Sequence, residues 1–250
     1  MKKNLKKIFY KLYKMSIYIP NYVKYLMDFY LFKKKSDNRF KLNFFNKTPC
    51  LEDNTKNTSF DTHYIYHPAW AARIIKEINP RLHIDISSTL HFCSILSAFI
   101  PIKFYDYRPA KIHLSNLESL SANLTKLFFE DESIESLSCM HTIEHIGLGR
   151  YGDPIDPSGD IKAIKELKRV VKKGGNLLFV VPIGGTPEII FNSHRTYTFD
   201  QIILFFKEFE LKKFSLVPNQ YPNTNFIENA TKQEADDQTF GCGCFWFIKK

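Results

Sequence analysis

The sequence predicts an α/β protein: a mostly parallel, doubly wound sheet covered by helices on both faces, preceded by a basic helical arm. Three observations carry this reading. From residue 61 onward, short apolar runs alternate with segments of helical periodicity, the order expected when helices cross over between parallel strands. The last two apolar runs, "ELKKFSLVP" and "GCGCFWFIKK", read as a terminal strand pair and suggest an antiparallel edge. Charge is also divided: residues 1–50 hold 13 Lys and Arg against Asp28 and Asp37, a net +11, so of the total of +9 the remaining 200 residues carry −2.

The arm comes first. "MKKNLKKIFYKLYKMSIYIPNYVKYLMDFYLFKKK" interleaves Lys with Ile, Phe, Leu and Tyr, and its apolar stretch is broken by Lys11, Lys14, Pro20, Lys24 and Asp28. That is too polar to span a bilayer, and no small-residue cleavage site follows. Two uses stay open for residues 1–35: peripheral contact with an anionic membrane surface, or packing on the core or on a partner. Residues 33–60 lack periodicity and read as a connector, so the expected division is an arm and linker over 1–60 and a main domain over 61–250. The basic character belongs to the arm, so nucleic-acid binding is not expected of the main domain. Five scattered cysteines, an odd number, form no disulfide framework and point to a reducing compartment. The expected location is cytoplasmic, with the inner membrane surface as the variant the arm would allow.

In the main domain, "HPAWAARIIKEINP" predicts a helix with Pro68 near its start and Pro80 just past its end. "LHIDIS" (82–87) predicts a strand, "TLHFCSILSAFI" (89–100) a helix and "IKFYDY" (102–107) a second strand. A loop and a short helical segment are expected next, then a strand over "ESLSCMHTI" (135–143). "SGDIKAIKELKRVVKKGG" spaces Ile161, Ile164, Leu167, Val170 and Val171 for a helix stopping at Gly174-Gly175. "NLLFVVPI" (176–183) is a buried strand and "TFDQIILFFKEF" a helix. Ligands of such sheets bind at the carboxyl ends of the strands, which directs attention to 85–88, 106–108, 123–124, 141–156 and 183–195.

Within that region His141-Thr142-Ile143-Glu144-His145 spells H-x-x-E-H, a zinc-peptidase signature. That chemistry needs both histidines one turn apart on a helix. Here the preceding residues alternate like a strand, and Gly147 and Gly149 follow at once, so no metal is expected from this string. Cys242-x-Cys244 reads as two small residues on one strand face rather than half of a metal site, there being no second Cys/His pair near it in sequence.

The order "HIDIS…FYDYRP…ANLTKLFFEDESIESLSCMHTIEHIG…AIKELKRVVKKGGNLLFVVP" resembles the class I S-adenosylmethionine-dependent methyltransferases. "FYDYRP", "SLSCMHTIEHIGLGRYGDPIDP", "VVPIGG" and "FNSHR" resemble the uncharacterised DUF268 subfamily, the likeness covering about residues 62 to 250. The resemblance implies a Rossmann-like sheet of seven strands and S-adenosylmethionine as cofactor. It places Asp85 and Ser87 beside the cofactor's methionine portion, Asp106 on the ribose hydroxyls, Asn123-Leu124 at the adenine and His141 near the methyl donor. It also implies a glycine-rich turn after the first strand, but this chain reads Asp85-Ile86-Ser87-Ser88-Thr89-Leu90, with no glycine.

An acceptor hydroxyl would need a base, for which His141, His145, Asp153 and His194 are the candidates. "GRYGDPIDPSGD" is expected to form a shaped loop over the acceptor pocket, bringing Arg150, Tyr151 and Asp156 to the substrate. Arg195 would either hold an anionic substrate group or pair with a loop aspartate. His63, His67, His83, His91 and His113 are expected to be structural or surface residues. Two functions stay open: methyl transfer to a small molecule or sugar, in the setting of cell-surface polysaccharide biosynthesis, and a methyltransferase-like scaffold without catalysis. A zinc hydrolase is the third and would require bound metal.

Overall fold

A computed structural model describes residues 2–37, 39–219 and 225–250, with side chains from Met15 onward, and divides the chain into Met1–Ser59 and Phe60–Lys250. The first unit is one helix, α1 (Lys2–Lys35), with Pro20 inside it, followed by a segment that folds back on it. Asn21 donates to the Leu51 carbonyl at 3.0 Å, the Phe29 and Phe44 rings meet edge to face, and the Lys47 ammonium lies 3.0 Å from the Phe44 ring centre. Among the described residues no helix is long and apolar enough to cross a membrane.

The second unit runs α2 (Thr62–Ile78), β1 (His83–Ile86), α3 (Leu90–Leu96), β2 (Ile102–Asp106), β3 (Leu117–Ser121), β4 (Ile134–Met140), α4 (Gly159–Val170), β5 (Val171–Ile183), β6 (Glu188–Ile190), β7 (His194–Thr196), α5 (Phe199–Phe205), β8 (Phe209–Val217), α6 (Lys232–Asp236) and β9 (Gly241–Lys249). Seven strands form one sheet in the order β3-β2-β1-β4-β5-β9-β8. The first five of that order are parallel, and β9 runs antiparallel to both β5 and β8.

Period-2 alternation explains why the sheet is covered twice. Leu137, Cys139, Leu177, Phe179, Phe245 and Phe247 turn to one face, where Ile164, Leu167, Ile202 and Phe206 of α4, α5 and the turn after it close over them. Met140, Leu178, Val180, Cys242, Cys244 and Trp246 turn to the other, under Trp70, Ala71, Ile74 and Ile75 of α2 and Phe92 and Leu96 of α3. The face that carries Cys242 is therefore the face on which α2 lies.

Four sequence expectations change. The helix of α2 starts at Thr62, capped by the Asp61 carboxylate on the Tyr64 N–H at 3.1 Å, so Pro68 lies in its second turn, where its missing N–H forgoes one helical bond. The short helical segment expected between 108 and 134 is instead β3: between the turns at Asn116 and Asn123 its five residues pair their backbone groups with β2. Helix α4 ends at Val170 rather than at Gly174-Gly175, because Val171 pairs with Ile134 and opens a long strand. Its glycines serve a bulge: Gly174 has φ 70, and a Cβ on Gly175 would stand 3.0 Å from the Ile134 carbonyl oxygen. The strand read to residue 143 stops at Met140, where His141 takes φ 53 and a 3-10 turn, Ile143–His145, follows.

Candidate active site

The carboxyl ends of β1, β2 and β4 converge on a turn without glycine. Ser87 adopts φ 54, a left-handed conformation that disfavours any side chain. Side chains fix it there. Ser87 donates through N–H and Oγ to the Tyr105 carbonyl (2.8 and 3.2 Å), the Ser88 N–H donates to Asp85 Oδ1 at 3.0 Å, and Thr142 Oγ1 donates to the Ser87 carbonyl at 2.9 Å. The Met140 N–H donates to Ser88 Oγ at 3.1 Å, and Thr89 caps α3. A turn normally held open by glycine is held here by hydroxyls.

Asp85 sits elsewhere than the resemblance implies. Fully buried, it accepts from Ser138 Oγ as well as from Ser88, and it lines none of the clefts described here. Burial raises its acid to about 6 despite the opposing serine hydrogen bonds. It supports the turn rather than facing a ligand. Next to it His83, also fully buried, bridges Ser136 and Ser138 at 2.8 Å each, and burial lowers its imidazole to about 3. Since Ser138 donates to Asp85, it accepts from His83 Nε2–H, which leaves Nδ1 to accept from Ser136.

Two neighbouring clefts follow the strand ends. One, of about 240 Å³, is lined by Ser87, Ser88, Asp106, Arg108, Met140 and His141. The other, of about 140 Å³, is lined by Asn123, Leu124, Ile146, Gly147, Asp153 and Asp156. Ser87, Tyr107, Ile146 and Tyr151 belong to both. Asp106 Oδ1 accepts from the Arg108 N–H at 2.7 Å, and Asn123 Oδ1 accepts from the N–H and hydroxyl of Thr125, which sets the wall beside Leu124. A third, larger cleft of about 450 Å³ holds His63, His145, Arg150, His194, Asn219 and Phe240. It meets the smaller ones at Tyr64, His141, His145 and Tyr151.

The loop 147–158 walls the Asn123 side more than the larger cleft. Gly147 has φ 79, and a Cβ there would fall 2.0 Å from the Asp156 carbonyl oxygen. The Asp153 carboxylate is occupied by the N–H groups of Gly147, Tyr151 and Gly149 (2.8, 3.2 and 3.4 Å), so it organises the loop instead of acting as a base. Asp156 accepts from the Ser158 N–H and pairs with Lys162 at 2.7 Å, and Lys162 lowers its acid below the ordinary range. Arg195 is likewise not at the rim. Buried, it donates to the Ile146 carbonyl at 2.7 Å, reaches the Glu144 and Pro157 carbonyls at 3.4 Å and lies 3.6 Å from Asp160, which is in the first turn of α4 and not a loop aspartate.

The larger cleft gathers the imidazoles. His145 Nδ1–H donates to the Ser193 carbonyl at 2.6 Å, which leaves the lone pair on Nε2. Arg150 donates to the same carbonyl at 3.1 Å and stands over the Tyr151 ring at 5.1 Å. His194 Nδ1 meets Ser193 Oγ at 2.9 Å, and burial lowers its imidazole. His141 Nδ1 lies 2.8 Å from Glu144 Oε1 in a pair that is almost wholly buried. Burial opposes charge on His141, but Cys242 and Glu144 together raise it above its ordinary value.

Sequence reasoning missed His63, His67 and Tyr64, which belong to the start of α2. Their rings lie 5.4, 5.0 and 5.4 Å from His141. Burial lowers His63 to about 4 and raises the Tyr64 hydroxyl to about 12, so that hydroxyl keeps its proton. The spacing of 63 and 67, one helical turn, was the available signal, hidden by placing the helix start at Pro68. Four of the six buried polar side-chain atoms that lack a hydrogen-bond partner among the described residues are here: His67 Nε2, His141 Nε2, Glu144 Oε2 and His194 Nε2.

The sheet order with its reversed seventh strand, and clefts at the parallel strand ends, define the class I methyltransferase fold. A family model described as "Caenorhabditis protein of unknown function, DUF268" matches residues 111–239, just over half of the chain, and the protein belongs to that family. Solved structures agree on the fold. The Burkholderia thailandensis 1,6-didemethyltoxoflavin-N1-methyltransferase, with bound 1,6-didemethyltoxoflavin and S-adenosylhomocysteine, is similar at TM-score 0.53 and 10% identity, over 74% of this chain and 79% of that one. A provisionally assigned methyltransferase of Bacillus halodurans C-125 is similar at TM-score 0.51 and 13% identity, over 73% and 98%. No curated protein sequence matches the chain.

Proposed function

We propose that this protein is an S-adenosylmethionine-dependent methyltransferase acting on a small molecule or sugar. The observation that carries the reading is the junction of clefts: a groove along the ends of β1, β2 and β4 opens at Tyr64, His141, His145 and Tyr151 into a second, larger cleft. A methyl donor and its acceptor need two such compartments sharing one wall.

The residues fit the cofactor. Ser87 already takes the positive φ a glycine would supply, with its hydroxyl turned back to Tyr105, which keeps backbone at the groove. Asp106 would hold the ribose hydroxyls, Asn123 and Leu124 the adenine, and the 87–89 turn the methionine portion. When bound, the cofactor supplies an electrophilic methyl group on a sulfonium. The chain's part is to align the acceptor and take its proton. His145, with its free lone pair on Nε2, is the base that the hydrogen bonds favour, and Arg150 is the cation for an anionic acceptor. A sugar of cell-surface polysaccharide is the acceptor class we favour, met in the cytoplasm, with residues 1–35 resting on an anionic membrane surface.

Calorimetric titration with S-adenosylmethionine and S-adenosylhomocysteine tests this first. Micromolar binding by the intact chain and its loss in Asp106→Ala are expected, followed by transfer of labelled methyl to an acceptor. A second reading, a scaffold of this fold without catalysis, draws on the glycine-free turn. Absence of binding by the intact chain would decide for it.

A further inference from the structure

We infer that His63, His141 and Cys242 form a binding site for a divalent metal ion of the zinc class at the floor of the larger cleft. The three come from distant parts of the chain. His63 lies in the first turn of α2, His141 just past β4 and Cys242 near the start of β9. Alternation along β9 turns Cys242 to the face that α2 covers, and the Asp61 cap sets the turn that carries His63. One ligand atom from each lies within 4.8 Å of the other two.

A tetrahedral ion with bonds of about 2.0–2.3 Å separates its ligand atoms by about 3.3–3.6 Å. The cluster therefore has to close by no more than about 1.5 Å. His63, at a helix start with its ring stacked on those of His141 and Phe240, is the side chain that would turn inward.

A second observation concerns His141 itself. It is 8% exposed, and its Nε2 is buried with no well-aligned hydrogen-bond partner among the described residues, the Cys242 thiol being its electrostatic neighbour. Its other nitrogen, Nδ1, is held by Glu144 at 2.8 Å. A carboxylate holding the far nitrogen of an imidazole fixes the ring and makes the near nitrogen a better ligand, the usual support of a metal-bound histidine. Glu144 thus serves as a positioning residue, and the H-x-x-E-H string contributes one ligand and its support instead of a peptidase pair.

The donor set selects the ion. Two imidazoles and a thiolate suit zinc-class ions and not calcium or magnesium, which take oxygen. His63 and His141 line the cleft while Cys242 is fully buried beneath it, so the fourth position would face the cleft that holds His145, Arg150 and His194. Cys244, with its sulfur 3.8 Å from that of Cys242, is outside the group of three. The inference goes beyond methyl transfer and does not depend on cofactor binding.

The test uses the full chain, stripped with a chelator, then titrated with Zn²⁺ against a chromophoric competitor and with Co²⁺ by absorption. One equivalent is expected to bind, with a thiolate-to-cobalt charge-transfer band. Cys242→Ala should abolish the band, His63→Ala should weaken zinc at least tenfold, and Glu144→Gln should weaken it by about 10- to 100-fold at unchanged stoichiometry. Cys244→Ala should change neither readout. Because Cys242 is buried, Cys242→Ser is measured beside it and must also lose the band with the thermal transition retained. Absence of stoichiometric binding by the intact chain, or binding unchanged in Cys242→Ser and His63→Ala, would overturn the site.

Discussion

Ser87 and His83 show what single residues decide here. A β-branched side chain at φ 54 clashes with its own backbone, whereas glycine accepts that conformation freely. Ser87→Val should lose about 2 kcal/mol of stability, and Ser87→Gly should stay within about 1 kcal/mol of the parent, as read by denaturant unfolding. His83 makes a pH prediction. With its folded value lowered to about 3 against 6.5 when unfolded, the unfolded chain alone holds this proton between those values, so His83 lowers stability as pH falls through 6.5. Asp85 acts oppositely: raised to about 6 from 3.8, it holds an extra proton in the folded chain and favours stability as pH falls through that window. The two offset each other between roughly pH 4 and 6. His83→Gln removes one of them, so from pH 6 to 4 its stability should rise relative to the parent by about 1.4 kcal/mol per unit. A parallel pH profile for the two proteins would refute the neutral, buried imidazole.

At the scale of elements, the loop 147–158 is held by glycines and one carboxylate. Gly147→Ala would set a Cβ 2.0 Å from the Asp156 carbonyl oxygen at a positive φ, and should cost about 2–3 kcal/mol. Asp153→Ala leaves three N–H donors without their acceptor and should loosen residues 147–151 selectively, seen as faster amide exchange there with the sheet still protected. The sequence made the turn residues of this loop legible, but not that its aspartates would be consumed in holding it. Nor did it reveal β3, whose five residues carry too little alternation to compete with a helical reading and are set by pairing with β2. The β6–β7 hairpin was missed for the same reason: three-residue strands have no period to read.

For the molecule as a whole, the phenylalanine layer under α5 is the main anchor. Phe206 packs 4.9 Å from both Phe179 and Phe247, and all three are buried. Phe206→Ala should cost about 3–5 kcal/mol, read from the shift in denaturant midpoint at constant slope. The unit Phe60–Lys250 contains both sheet faces and their helices, so the chain shortened to that unit should still unfold in one cooperative transition. A broad, non-cooperative melt would refute the independence of that unit.

The sequence by itself determined the alternation of strand and helix, the antiparallel closing pair, the basic arm and the position of Asp106 at the end of a strand. Those follow from local periodicity and from chain order, which a single sequence carries. Only the tertiary structure decided which groups meet. Burial consumed Asp85 and Arg195 in internal hydrogen bonds, because a charge taken from water must be satisfied by whatever lies nearest. Packing α2 on the face of β9 that bears Cys242 brought His63 and His67 to His141, a contact set by the sheet's topology and invisible to any spacing along the chain.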